Sequence, residues 1–218
     1  MNIGGPMNTP NPMMGGNNNG GGAISLVKGE KVSLTKIALD KGITTPLNNL
    51  TVGLGWDVNN FTGAAFDLDA SCFMLGQNDR VPNNSYFIFY GQLQAANGAV
   101  IHTGDNLTGE GDGDDEQLKV SLAKVPAEIQ KLVFAVTIYD CKTRGQNFGQ
   151  VKNAFIRVVD DTTGMELVRF DLTEQFSTQT ALIVGEIYRY NNEWKFNAVG
   201  AGYPDDLATF CNKYGVQI

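Results

Sequence analysis

The chain has 218 residues, 42% apolar and 18% charged, and its 23 acids against 16 bases leave a formal charge of −7. That is enough for one large domain or two small ones with a real core. The acid excess argues against a broad phosphate-binding surface, so against a nucleic-acid binder, and against docking on anionic lipid by charge alone.

Residues 1–22 have no charge and no aromatic, and glycine and asparagine dominate them with three prolines. Such a stretch cannot offset its ordering entropy, so a disordered tail is expected ahead of a single domain over 23–218. The start has no basic n-region and no apolar h-region, and no apolar run nears the ~20 residues of a membrane span; a cytoplasmic location is expected.

From Ala23 the pattern is that of β-strands. Residues 24–27, 31–34 and 50–56 alternate or run apolar. Over 66–75, Phe66, Leu68, Ala70, Cys72 and Met74 share one strand face, which puts Asp67, Asp69 and Ser71 on the other. Residues 86–90 are an aromatic strand, 118–122 alternate, and 132–139 form the β-branched and aromatic run expected of a central strand. Residues 126–131 open on Pro126 and predict one or two helical turns. Strands are predicted again over 154–159, 166–171 and 181–190, and Asn191-Asn192 predicts a two-residue hairpin turn into 193–199. Pro204 and Asp205 are expected to open a C-terminal helix carrying Leu207, Phe210, Cys211 and Tyr214. Many short strands with few helices give an all-β class: an antiparallel β-sandwich with a short C-terminal helix. A fainter regularity runs through it. A strand ending in Trp-Asp or Tyr-Asp, a loop and a second strand occur twice, over 51–75 and 133–159, so that Asp57 and Asp140 close comparable strands.

Cys72, Cys141 and Cys211 are odd in number, far apart and flanked by apolar residues, so they predict small core residues rather than disulfides or a zinc site. The single histidine, His102, excludes metalloenzymes with several histidine ligands and is expected as a strand-end residue. Arg144, Arg157, Arg169 and Arg189 form no basic cluster and are expected to pair with carboxylates.

The most specific feature is a loop. Between Asp105 and Glu116, six of twelve positions are acidic (Asp105, Glu110, Asp112, Asp114, Asp115 and Glu116), interleaved with glycines. Those carboxylates repel one another and glycine offers little packing to hold them. A hard cation resolves both problems. Calcium ranks first because it takes six to eight oxygens in flexible geometry; magnesium ranks second and zinc third. Asp67 and Asp69, charges inside a strand, need the same compensation, and a cation shared with the loop would supply it. An EF-hand is rejected, since Leu107, Gly109 and Glu110 stand where ligands and the turn glycine belong. Asp67-x-Asp69-x-Ser71 has the form of a phosphotransferase nucleophile motif, but a loop rather than an apolar strand precedes it, so no catalytic residue is expected.

Several stretches together resemble the TerD family of tellurium-resistance and stress proteins: Gly53-Leu54-Gly55-Trp56-Asp57, the 66–71 strand, the run from His102 through the acidic loop, Ile138-Tyr139-Asp140, Asn147-Phe148-Gly149-Gln150-Val151 and Gly185-Glu186-Ile187-Tyr188-Arg189. The resemblance covers residues 24–218. It implies a non-catalytic, calcium-binding β-sandwich holding more than one ion. Its implied ligands are Asp67, Asp69, Asp105, Asn106, Glu110, Asp114, Asp115 and Glu116, with Asp112 in the same loop and Asp57 and Asp140 as outer candidates. It implies stress resistance near the inner membrane face, with membrane-embedded or other resistance proteins as partners, calcium-mediated contact with lipid headgroups, and self-association. The alternative it carries is a receptor for a cyclic nucleotide or other small ligand with calcium in a structural role.

Overall fold

The computed structural model describes residues 22–58, 63–110, 113–172 and 176–217. Of the expected tail, all but Gly22 lies outside the described residues. In chain order the elements are β1 (Ile24–Ser25), β2 (Lys31–Ser33), α1 (Leu34–Asp40), β3 (Asn49–Gly55), β4 (Leu68–Leu75), β5 (Phe87–Ile88), β6 (Val100–His102), β7 (Glu116–Ser121), β8 (Lys131–Ile138), α2 (Cys141–Arg144), β9 (Phe155–Asp160), β10 (Met165–Asp171), β11 (Ala181–Tyr190), β12 (Glu193–Asn197), β13 (Ala201–Tyr203) and α3 (Leu207–Tyr214).

The strands form two sheets. One runs β1-β10-β9-β3-β7-β6; the other runs β2-β12-β11-β8-β4-β5, with β13 added on β11. Among the described residues all strand pairings are antiparallel except β1 on β10, which is parallel. The sandwich with a C-terminal helix is therefore as the strand pattern predicts. The recurring strand-loop-strand units each place one strand in either sheet and pair with one another, β3 on β9 and β4 on β8.

Leu50, Val52, Leu54, Leu68, Cys72, Met74, Phe134 and Val136 belong to one inter-sheet core. A second cluster fills the outer side of the β4–β8–β11 sheet, where Phe73, Leu75, Val133 and Ile183 pack with Phe210, Cys211 and Tyr214. Burying each such side chain stabilises by roughly 1.5–3 kcal/mol. β4 is consequently buried along its whole length, and all three cysteines are buried and free.

Local expectations failed in several places. Of the aromatic run 86–90 only Phe87–Ile88 is strand, because Tyr86 closes a 3-10 turn capped by Asn83. Residues 31–34 are only partly strand: Ser33 accepts the Lys36 N–H and caps α1, whose Leu34, Ile37 and Ala38 bury one face. Residues 126–131 form no helix. The Ile129 N–H closes a turn on the Pro126 carbonyl at 3.0 Å and the chain goes straight into β8, where pairing on both sides outweighs a short helix. α3 is capped one residue later than expected, by the Asp206 side chain.

Candidate metal centre

The site forms where β4 begins. Asp67 and Asp69 keep the same side of the strand, as alternation requires, and both are buried, at 6% and 4% exposure. Asp105 comes from the loop that leaves β6 of the other sheet. His102 ends β6 with its N–H on the Leu93 carbonyl at 2.7 Å, and the Thr103 N–H reaches the Gln117 carbonyl at 3.0 Å. These bonds fix the loop two residues ahead of Asp105. One oxygen from each of Asp67, Asp69 and Asp105 lies within 4.8 Å of the others.

Crowding and burial raise the pKa of the two buried acids, Asp67 and Asp69. Burial, then Glu116, Asp67 and Asp105, push Asp69 up to about 8. Burial and Asp105 also push Asp67 up, against Arg144, whose Nη1 stands 3.6 Å from Asp67 Oδ2. Among the described residues, Asp67 Oδ1 is buried with no hydrogen-bond partner. An orphaned interior carboxylate oxygen is costly, and a cation is one group that would satisfy it. The donors are all carboxylate oxygens, the chemistry of a hard divalent ion rather than of zinc. The residues fit such an ion.

Beside the three acids is a cavity of about 350 Å³, lined by them and by Tyr90, Leu107, Tyr139 and Arg144. Burial, then the charge of Asp69, raise the Tyr90 hydroxyl's pKa. Arg144 ends α2, its guanidinium 5.3 Å from the centre of the Tyr139 ring. Tyr90 carried no signal in the sequence beyond strand propensity, Tyr139 entered only through the Ile138-Tyr139-Asp140 stretch, and the role of both as walls depends on the fold.

The remaining candidates separate. Glu116 sits between the sheets: Oε2 accepts the Ala70 N–H at 2.7 Å and Oε1 the Asn106 N–H at 3.3 Å. His102 Nδ1 accepts the Gly104 N–H, and its Nε2 lies 3.5 Å from Glu116 Oε2. Burial raises the Glu116 pKa and His102 opposes it. Asn106 ties the loop together: its Oδ1 accepts the Thr108 and Gly109 N–H groups, and its Nδ2 donates to Asp115 Oδ1 at 3.2 Å. Asp115 Oδ2 accepts the Trp56 N–H at 2.8 Å, and burial raises its pKa. Asp57, exposed, accepts from Asn153 Nδ2 at 2.7 Å and acts electrostatically on Asp115. Asp114 pairs with Arg157 Nε at 2.7 Å. The Glu110 side chain is exposed, and only its backbone meets Asn106 and Thr108. Asp140 is exposed, in a left-handed conformation (φ 49°) ahead of α2, and makes no side-chain cap. Asp112 lies outside the described residues. The arginines follow expectation at Arg144, Arg157 and Arg169, whereas Arg189 instead donates to the Val125 and Ile129 carbonyls.

Among the described residues no helix is long and apolar enough to cross a membrane. The TerD domain family model matches residues 23–214. The tellurium resistance protein TerD of Serratia marcescens is 53% identical over 195 residues, covering 89% of this chain and 98% of its own length. General stress protein 16U of Bacillus subtilis is 52% identical over 197 residues, with 89% and 98% covered. A crystal structure of a homologue of telluride resistance protein (TerD) from Streptomyces coelicolor A3(2) superposes with a TM-score of 0.64 at 22% identity, covering 75% of this chain and 95% of that one, and speaks for the fold alone. The chain belongs to the TerD family.

Proposed function

We propose that the protein is a non-catalytic, calcium-binding stress-response module of the cytoplasm, of the tellurite and chemical-stress resistance type. Asp67, Asp69 and Asp105 would hold one ion, and the acidic loop around Asp115 would take a second. Calcium supplies fixed positive charge where the chain has gathered negative charge. Loading then orders the loop edge and turns it from a repulsive surface into a docking one, for a membrane-associated or other resistance protein at the inner membrane face. The observation that carries this reading is the convergence of two carboxylates at the start of β4 and one from the loop after β6 on one point, with Asp67 Oδ1 buried and unpartnered among the described residues. The names of the relatives, resistance and stress proteins, support the physiological part. Calorimetric titration with calcium and with magnesium, and melting with and without EDTA, test it. Calcium should bind more tightly than magnesium and raise the melting temperature. The reading fails if calcium binds no better than magnesium and chelation leaves the melt unchanged.

A further inference from the structure

We propose that the cavity beside Asp67, Asp69 and Asp105 is a metal-gated receptor for a phosphate group carried on an apolar body, anchored by Arg144 and walled by Tyr90, Tyr139 and Leu107. The proposal rests on the calcium reading above and names what the loaded site takes.

Charge decides the gating. The three carboxylates outweigh the single charge of Arg144, even with Asp69 holding its proton, so the metal-free site repels an anion. A divalent ion that binds all three as carboxylates brings the sum with Arg144 to zero. Calcium takes six to eight oxygens, and three carboxylates leave some of those positions open to a ligand. Asp67 is 6% exposed, lines the cavity and carries the unpartnered Oδ1. Arg144 meets that carboxylate only at 3.6 Å, beyond the 2.7–3.2 Å of a hydrogen bond, and its side chain is 26% exposed. A cation taking over as counter-ion to Asp67 releases the guanidinium fork towards the cavity. Phosphate suits the pair: one oxygen can reach the metal while two others accept from the fork.

The walls call for an apolar partner. Tyr90, Tyr139 and Leu107 are 39%, 49% and 58% exposed, and all three line this one cavity. Single exposed apolar residues are ordinary, but three converging on one hollow make a patch. The tyrosine rings meet edge to face, 6.5 Å apart at 87°, and form a corner. A volume of about 350 Å³ is at the small end for ligand sites and takes a phosphate with one ring or a short acyl stem.

The test uses the full chain. Wild type, Arg144→Gln and Tyr139→Ala are first titrated with calcium, then, calcium-loaded, with phenyl phosphate, inorganic phosphate and phenol, and again in EDTA. Phenyl phosphate should bind only the loaded protein, more tightly than either fragment. Arg144→Gln should weaken it about tenfold while calcium affinity is kept or rises, because a neighbouring positive charge is gone. Tyr139→Ala should weaken phenyl phosphate more than inorganic phosphate. In the wild type, phenyl phosphate should shift the Tyr90 and Tyr139 ring resonances, a readout that needs no variant to fold. Co-sedimentation with vesicles of phosphatidylcholine, with or without phosphatidylglycerol, separates the sources: calcium-dependent pelleting on phosphatidylglycerol, lost in Arg144→Gln, assigns a lipid headgroup, and phenyl phosphate binding without pelleting assigns a soluble phosphate ester. Calcium binding with neither phenyl phosphate binding nor pelleting overturns this proposal and leaves the calcium reading standing. Phosphate binding that persists in EDTA overturns the gating. No calcium binding overturns both.

Discussion

Glu116 Oε2 accepts the Ala70 N–H at 2.7 Å, a bond from the first residue of β7 in one sheet to β4 in the other. It ties the sheets together beside Asp69, and the side chain is fully buried with His102 against it. Glu116→Ala leaves the Ala70 N–H without its acceptor in the interior. The expected loss is about 2–3 kcal/mol of unfolding free energy, and Glu116→Gln, which keeps an acceptor, should lose roughly half as much. Urea unfolding in EDTA measures both. Equal losses for the two variants would mean that the hydrogen bond to Ala70 is not what holds this corner.

Asp69 predicts how the metal-free protein responds to pH. Its pKa is about 8 in the fold against the ordinary 3.8, so the native state holds a proton that the unfolded chain releases. Between those values the native state binds more protons, and stability falls as pH rises. The stabilising proton is fully in place below pH 3.8 and lost through pH 8. Asp69→Asn should therefore be more stable than wild type at pH 8 in EDTA, on the order of a few kcal/mol, with a flatter pH profile. Calcium must displace the same proton, so its affinity should climb with pH by up to about tenfold per unit until pH 8, with release of close to one proton. Calorimetry in buffers of different ionisation heat reads that proton directly; an affinity flat from pH 6 to 8 contradicts the assignment.

The period-two pattern of β4 made the pairing of Asp67 with Asp69 legible, because a strand face follows from sequence parity alone. Their meeting with Asp105 was legible only as a need for compensation. The acidic loop misled in a specific way. Its acids are neighbours in sequence, but Asp105 turns towards β4, Glu116 between the sheets, Asp115 onto Trp56 and Asp114 onto Arg157. Parity cannot sort residues that precede a strand in an irregular loop. α1 was hidden for another reason: Lys31-Val32-Ser33-Leu34 alternates like a strand, while its helix signals, the Ser33 cap and the 34, 37, 38 spacing, lie mostly downstream.

Gly53 predicts the role of Asp114. A Cβ at Gly53 would collide with the Asp114 carboxyl, which lies over it while accepting from Arg157 Nε at 2.7 Å and Gln117 Nε2 at 3.2 Å. Gly53→Ala should displace that carboxylate and cost about 1–3 kcal/mol. Because Asp114 is engaged by Arg157, Asp114→Asn should change calcium affinity less than about threefold, while Asp69→Asn weakens it at least about tenfold. Calorimetry on the two asparagine variants decides: a large loss in Asp114→Asn would move the ion towards the Arg157 side.

Trp56 joins the acidic loop to the approach of β4, and this makes it a reporter. Its backbone N–H is held by Asp115 Oδ2, its indole Nε1 donates to the Phe66 carbonyl at 3.2 Å, and Gly109, at φ 72°, lies against the ring with no room for a Cβ. Ordering of the loop by calcium should therefore reach the indole. The chain has two tryptophans, and Trp194 sits elsewhere, under Arg189 at 4.3 Å. Calcium should change the emission of the wild type, and Trp56→Phe should abolish the change while costing about 1 kcal/mol for the lost bond to Phe66. Gly109→Ala meets both the ring and the positive φ, so it should lower stability by about 1–3 kcal/mol and weaken calcium about tenfold. A calcium signal that survives in Trp56→Phe must come from Trp194, and would place the ordered segment away from the loop that Gly109 and Asp115 fasten to Trp56.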